Sequence, residues 1–233
     1  FIVLVPGAGP LEVYALPLFA FLGGLLATLL LWRIAKTPWG VQVLVLLLAG
    51  IALNALVGAG IGLLTFLATE EELRSLTFWT LGGFSALTWR LLLVGVPFAF
   101  LAFALLLPLA RPLNVLALGE REAFHLGIDL ERLKRRAVAG AALGVGVAVA
   151  LAGGVGFLGL VAPHLFRLLA GPDHRYLLPG SALLGGSLAV LADLLARTLA
   201  APAEIPVGVV TALLGGPFFL YLVLRHKREV YRA

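Results

Sequence analysis

The sequence predicts an all-α protein, a polytopic bundle of membrane-spanning helices, and three observations predict it. Hydrophobic residues make up 61% of the 233 residues and charged residues only 12%, with a mean hydropathy of +1.08. Soluble domains are about half apolar and a quarter charged. The apolar residues also fall in runs close to the ~20 residues a helix needs to cross a bilayer. Finally, those runs lack the alternation of a half-buried strand.

Seven such runs are read, at roughly 11–32, 42–68, 91–110, 137–153, 156–170, 178–199 and 206–224. Their many Gly and Ala residues suit close helix packing in lipid. The first run ends at Trp32, Arg33 and Lys36, and the second follows after Trp39. Between the second and third lies TEEELRSLTFWTLGGFSALTWR, too polar to span. Thr69 followed by Glu72 has the capping-box pattern, which predicts a short surface helix near 70–80. Trp32, Trp39, Trp79 and Trp89 all fall at span ends, where interfacial aromatics anchor.

After the third run comes a charged island, RPLNVLALGEREAFHLGIDLERLKRR, residues 111–136, holding ten of the chain's 29 formal charges. Within it Glu120 to Leu126 predicts a short helix closed by Gly127 at the usual C-terminal glycine position. Asp129 then caps a second helix beginning at Leu130, which carries Arg132, Lys134, Arg135 and Arg136 toward the membrane and is expected to lie with the first against the cytoplasmic face. Phe124 is an apolar residue on a charged element, suited to a partner's groove. The basic end serves chiefly to fix topology.

The fourth and fifth runs are separated by Gly153-Gly154-Val155-Gly156, which together with Gly215-Gly216 reads as helix packing or breaking. Pro163, Pro179, Pro202, Pro206 and Pro217 interrupt or begin the last spans. Such breaks occur along transport pathways and equally in ordinary bundles. The sixth run holds Asp193 and Arg197, four apart and hence on one helix face. Two readings stand: a pair that stabilises the end of the span, or an Arg197 available to an acidic group on a partner or solute.

Lys and Arg set the orientation, because they accumulate in cytoplasmic loops. Fourteen of the seventeen fall on one side: Arg33, Lys36, the six of the island, Arg167, Arg175, Arg225, Lys227, Arg228 and Arg232. Arg74, Arg90 and Arg197 fall on the other, with Glu12, Glu70, Glu71, Glu72 and Glu204. The first residue is thus expected outside and the C-terminus in the cytoplasm.

No Walker GxxxxGK[ST], HExxH or GxSxG occurs, so the chain is expected to hold neither nucleotide nor catalytic zinc nor a serine nucleophile. His125, His164, His174 and His226 lie in different loops or span ends and suggest no metal site. No catalytic, cofactor-binding or metal-binding residue is assigned, and the +5 net charge follows topology rather than nucleic acid. Cysteine is absent, so disulfides are excluded.

Three stretches carry a family resemblance: LNVLALGEREAFHLGID, GGVGFLGLVAPHLFRLLAGPDHRYLLPGSALLGG and LADLLARTLAAPAEIPVGVVTALLGGPFFLYL. With them the chain resembles the FecCD-type permeases, membrane subunits of ATP-binding-cassette importers for iron-siderophore complexes, haem and cobalamin. The resemblance implies a single permease domain over 1–233 with its coupling element at 111–136. It implies ten spans in the full fold, of which the seven here match the last seven. The start Phe-Ile-Val-Leu-Val, without methionine, fits the expectation of an N-terminally truncated fragment.

Partners are also implied: a separate ATPase subunit that uses the ATP, a periplasmic or lipid-anchored substrate-binding protein, a second copy of the permease, and bacterial or archaeal plasma-membrane lipid. Leu118, Gly119, Glu120, Arg121, Glu122, Ala123, Phe124, His125, Leu126 and Gly127 match the coupling helices that seat on the ATPase. Arg197 matches the outer-surface arginine that pairs with a glutamate of the binding protein; other docking arginines belong to the family's N-terminal part. Asp173, His174 and Arg175 match the family's GPDHR loop, which is structural or near the ATPase. AFHLGIDLERLKRRA and APAEIPVGVVTALLGGPFF look most like the haem permeases, although the same motifs run through siderophore and cobalamin members. An intramembrane enzyme or a non-transporting membrane assembly subunit are the alternatives, and the enzyme would need clustered polar groups within the spans.

Overall fold

The computed structural model describes residues 12–37 and 40–230. Trp39 and Arg232 lie outside the described residues, as do the side chains of Glu12, Arg225, His226, Lys227 and Arg228. Among the described residues the regular structure is helical apart from one two-rung antiparallel bridge, β1 (Lys36–Thr37) with β2 (Gly40–Val41). The helices are α1 (Glu12–Ala35), α2 (Val43–Leu67), α3 (Glu70–Leu81), α4 (Trp89–Leu106), α5 (Ala110–Leu116), α6 (Glu120–His125), α7 (Leu130–Ala152), α8 (Leu158–Ala170), α9 (His174–Thr198) and α10 (Val207–Val230).

All seven predicted runs are helical, but their lengths differ from expectation. Among the described residues five stretches are long and apolar enough to cross a bilayer: 15–35, 44–67, 89–116, 130–152 and 174–198. Two further apolar helices, Leu158–Ala170 and Val207–Leu222, are shorter. The 13-residue α8 rises about 20 Å, against a hydrocarbon core of about 30 Å. The irregular segment before Leu158 and Gly171 after Ala170 set its ends.

Three expectations are corrected by the local structure. The third span runs on past Leu106 through a 3₁₀ turn, Leu107–Leu109, into α5, because Pro108 sits at the start of that turn, where a missing donor costs little. The basic end of the island is the first two turns of α7, continuous with the fourth span rather than a separate surface helix. Pro163, Pro179 and Pro217 lie inside α8, α9 and α10 rather than interrupting them; each removes one backbone bond, and the helix carries through.

The chain divides into two compact units, residues 1–77 with 87–151, and 78–86 with 152–233. In the first, α4 and α7 pack antiparallel through glycine. Leu151 covers Gly95, Ala102 meets Gly144, and Leu105 with Leu106 cover Gly140. Phe21 of α1 fills the space at Gly146 and stacks tilted on Phe98, with centroids 5.7 Å apart. Small residues let the backbones close, the usual way helices associate in lipid. Among the described residues no large side chain is fully buried. Leu44, Leu47, Leu48, Ile51, Leu56 and Phe66 of α2 are all exposed, so apolar side chains surround this helix, as on a lipid-facing span.

In the second unit α8 packs antiparallel on α9, with Phe166 over Gly180 and Ala162 beside Gly185. Its core is Ala192, Ala196, Val207 and Val210, closed by Phe84, Val155 and Ile205. Backbone meets backbone here. Gly83 N donates to Ala152 O at 2.8 Å and Gly154 N to Trp79 O at 3.3 Å. A β-carbon on Gly154 would overlap the Thr80 carbonyl oxygen, and one on Gly208 the Leu81 carbonyl oxygen.

Candidate coupling and docking sites

The 118–127 segment holds a turn and a half of helix, α6, set between Gly119 and Gly127. Glu120 and Glu122 lie in the first turn of α6, where acidic side chains suit the positive end of the helix dipole. Gly119 precedes it at φ 124°, and a β-carbon there would collide with the Glu122 carboxylate. At the other end Gly127 adopts φ 79°. Its N–H donates to Phe124 O and that of Ile128 to Ala123 O, both at 3.0 Å. These two bonds form a Schellman motif.

Asp129 then opens α7, its Oδ1 accepting from Arg132 N at 3.0 Å while its Oδ2 pairs with Arg132 Nε at 2.8 Å. The Asp129 cap and Gly127 stop are those the sequence predicts. Ala123 of α6 is fully buried, whereas Phe124 of α6 and the flanking Leu118 and Leu126 are exposed. The segment thus presents three apolar side chains among its charges.

Two ion pairs tie this region together, and neither was visible in the sequence. Lys134 Nζ reaches Glu120 Oε1 at 2.7 Å, linking α7 to α6. Lys36 Nζ lies 3.4 Å from Glu131 Oε1. Local spacing gave no signal for either, since the partners lie 14 and 95 positions apart.

Arg197 sits in the last turn of α9. Its Nε donates to Asp193 Oδ2 at 2.8 Å, the i,i+4 pair expected from spacing. Its Nη1 lies 3.9 Å from Glu204 Oε1, and Glu204 Oε2 accepts from Ser85 Oγ at 2.5 Å. Glu204 and Ser85 were missed as members of this site, because 119 residues separate them. At the opposite end of α9 Asp173 caps the helix through Arg175 N at 2.9 Å and holds the Arg175 guanidinium at 2.6 Å. Among the described residues no three His, Cys, Asp or Glu side chains converge as metal ligands would.

Apolar spans, a folded charged element beside one of them and an arginine at the end of another define a multi-pass membrane protein. The model of the FecCD transport family matches residues 1–225. The chain is 44% identical over 231 residues to the hemin transport system permease protein HmuU of Yersinia pestis, covering 98% of this chain and 69% of that permease. It is also 44% identical over 225 residues to the vitamin B12 import system permease protein BtuC of Escherichia coli O9:H4 (strain HS), covering 95% and 67%.

A solved inward-facing transporter, described as of the metal-chelate ABC type, superposes with a TM-score of 0.77 at 33% identity. That match covers 91% of this chain and 72% of the other. The chain belongs to the FecCD transport family. As a multi-pass membrane permease of an ABC importer it works with a separate ATPase, and the intramembrane-enzyme and non-transporting assembly-subunit alternatives are set aside.

Proposed function

We propose that the chain carries haem, an iron-siderophore complex or cobalamin through the membrane, pairing with a second copy of itself to form the path. The 44% identities to a hemin and to a vitamin B12 permease support this substrate class. ATP is bound and hydrolysed by the partner subunit, and this chain binds no cofactor. Fourteen of seventeen basic residues on one side support a cytoplasmic C-terminus, with the island in the cytoplasm and Arg197 outside. The exposed apolar surfaces of α1 and α2 support a lipid environment.

Leu118 to Gly127 is then the coupling element. One observation carries that reading: the short segment around α6, closed by the turn at Gly127, exposes Leu118, Phe124 and Leu126, a knob suited to a groove in the ATPase. Closure of the two ATPases pushes on α6 and switches the path between outward-open and inward-open. Arg197 docks the binding protein through a carboxylate. Replacing Glu120, Arg121 and Glu122 together should abolish ATP-driven uptake while membrane insertion persists. Undiminished uptake in that triple variant would overturn the coupling assignment.

A further inference from the structure

The four polar residues around Arg197 share a feature of placement. Asp193 follows Ala192, Arg197 follows Ala196, Ser85 follows Phe84 and Glu204 precedes Ile205, and each of these neighbours belongs to the core of the second unit or packs against it. Ile205 N also donates to Ala196 O at 3.1 Å. The backbone positions of the four are therefore fixed by a packed base, while their half-exposed side chains are placed by one another.

A guanidinium offers two edges, each able to take a carboxylate in a bidentate pair. Asp193 takes the Nε edge of Arg197. The terminal edge faces Glu204, whose carboxylate stops at 3.9 Å, beyond hydrogen-bond reach. Glu204 is held there by the hydroxyl of Ser85 at 2.5 Å. Side-chain exposures of 44% for Arg197 and 52% for Glu204 leave both reachable from solvent. An unrestrained Glu204 would close on Arg197, because a charge-assisted bond near 2.8 Å is stronger than the same pair held apart.

We infer that Ser85 is a latch that holds Glu204 off Arg197 and so keeps the terminal edge of the guanidinium open for an incoming carboxylate. The ligand class is an acidic side chain on the docking protein, which rests on the reading of Arg197 given above. Ser85 and Glu204 are positioning residues: they set how available Arg197 is and need not touch the partner. Glu204 is the internal competitor, and the latch decides whether it competes.

The test uses the full-length permease with its ATPase in nanodiscs, titrated with its substrate-binding protein, with the dissociation constant as readout. Ser85→Ala should weaken binding about threefold to fivefold, the effect of one exposed ion pair. Ser85→Thr, which keeps the hydroxyl, should bind as the parent does. Glu204→Gln removes the competitor and should bind at least as tightly as the parent. The double variant S85A/E204Q should match Glu204→Gln, since a latch without a competitor has nothing to hold. Arg197→Gln should weaken binding more than tenfold, as loss of a charged partner does.

Thermal melting of each variant separates misfolding from altered docking. If Arg197→Gln weakens binding but Ser85→Ala does not, the latch is wrong and the docking role stands. Weaker binding by Glu204→Gln makes Glu204 a contributor and likewise overturns the latch. Undiminished binding by Arg197→Gln overturns the docking role, and the latch with it.

Discussion

Lys134 donates to Glu120 across 2.7 Å, joining the second turn of α7 to the first residue of α6. The lysine side chain is 18% exposed and the glutamate 57%, so one end of this pair is sheltered and the other wet. A pair in that setting contributes about 1 kcal/mol, modest for stability yet enough to fix the angle between two short elements. Lys134→Glu should lower ATP-coupled uptake severalfold, and the reversed pair Glu120→Lys with Lys134→Glu should recover most of it. Uptake assays in vesicles decide this: no recovery in the reversed pair would remove the strut.

The turn at Gly127 has its own signature. At φ 79° a β-branched side chain is strained by about 1 to 2 kcal/mol, whereas asparagine tolerates this region. Gly127→Val should therefore reduce uptake and loosen the ATPase from the permease, with Gly127→Asn near normal. Co-purification yield of the ATPase measures it.

Backbone approach at Gly154 and Gly208 leaves no room for a methyl group. Overpacking of this kind costs about 1 to 3 kcal/mol. Gly208→Ala should lower the melting temperature of the detergent-solubilised permease, and Gly216→Ala, where nothing lies within 4 Å, should not. Equal melting of the two would count against the close junction.

The capping box of α3 offers a contrast. Thr69 N donates to Glu72 Oε2 at 2.8 Å, while Glu72 N donates back to Thr69 Oγ1 at 3.4 Å. Thr69→Ala should cost about 1 kcal/mol of stability without changing uptake, because the surface helix carries no proposed contact. A fall in transport beyond the fall in folded protein would show otherwise.

Much of the fold was legible because its signals are local. A hydrophobic run reports a span by length alone, and the Thr69–Glu72 box, the Asp129 cap and the Gly127 stop each act within four residues. Proline and charge both misled. Pro163, Pro179 and Pro217 read as breaks although the helices absorb them, and the island's first charge, Arg111, marked an end at 110 although the third span continues to Leu116.

The polar sites were legible only where partners share a helix turn, as Asp193 and Arg197 do. Ser85 with Glu204, and Lys134 with Glu120, come together through folding. Nothing in their spacing announces them.

α7 contains no proline and runs unbroken from Leu130 to Ala152, about 34 Å at 1.5 Å per residue. Its first turns carry Lys134 and its far end the Leu151 that covers Gly95. Such a helix joins the Lys134 contact with α6 to the Gly95 junction in one unbroken element, so on the coupling role proposed for α6 a push there has a continuous path to α4.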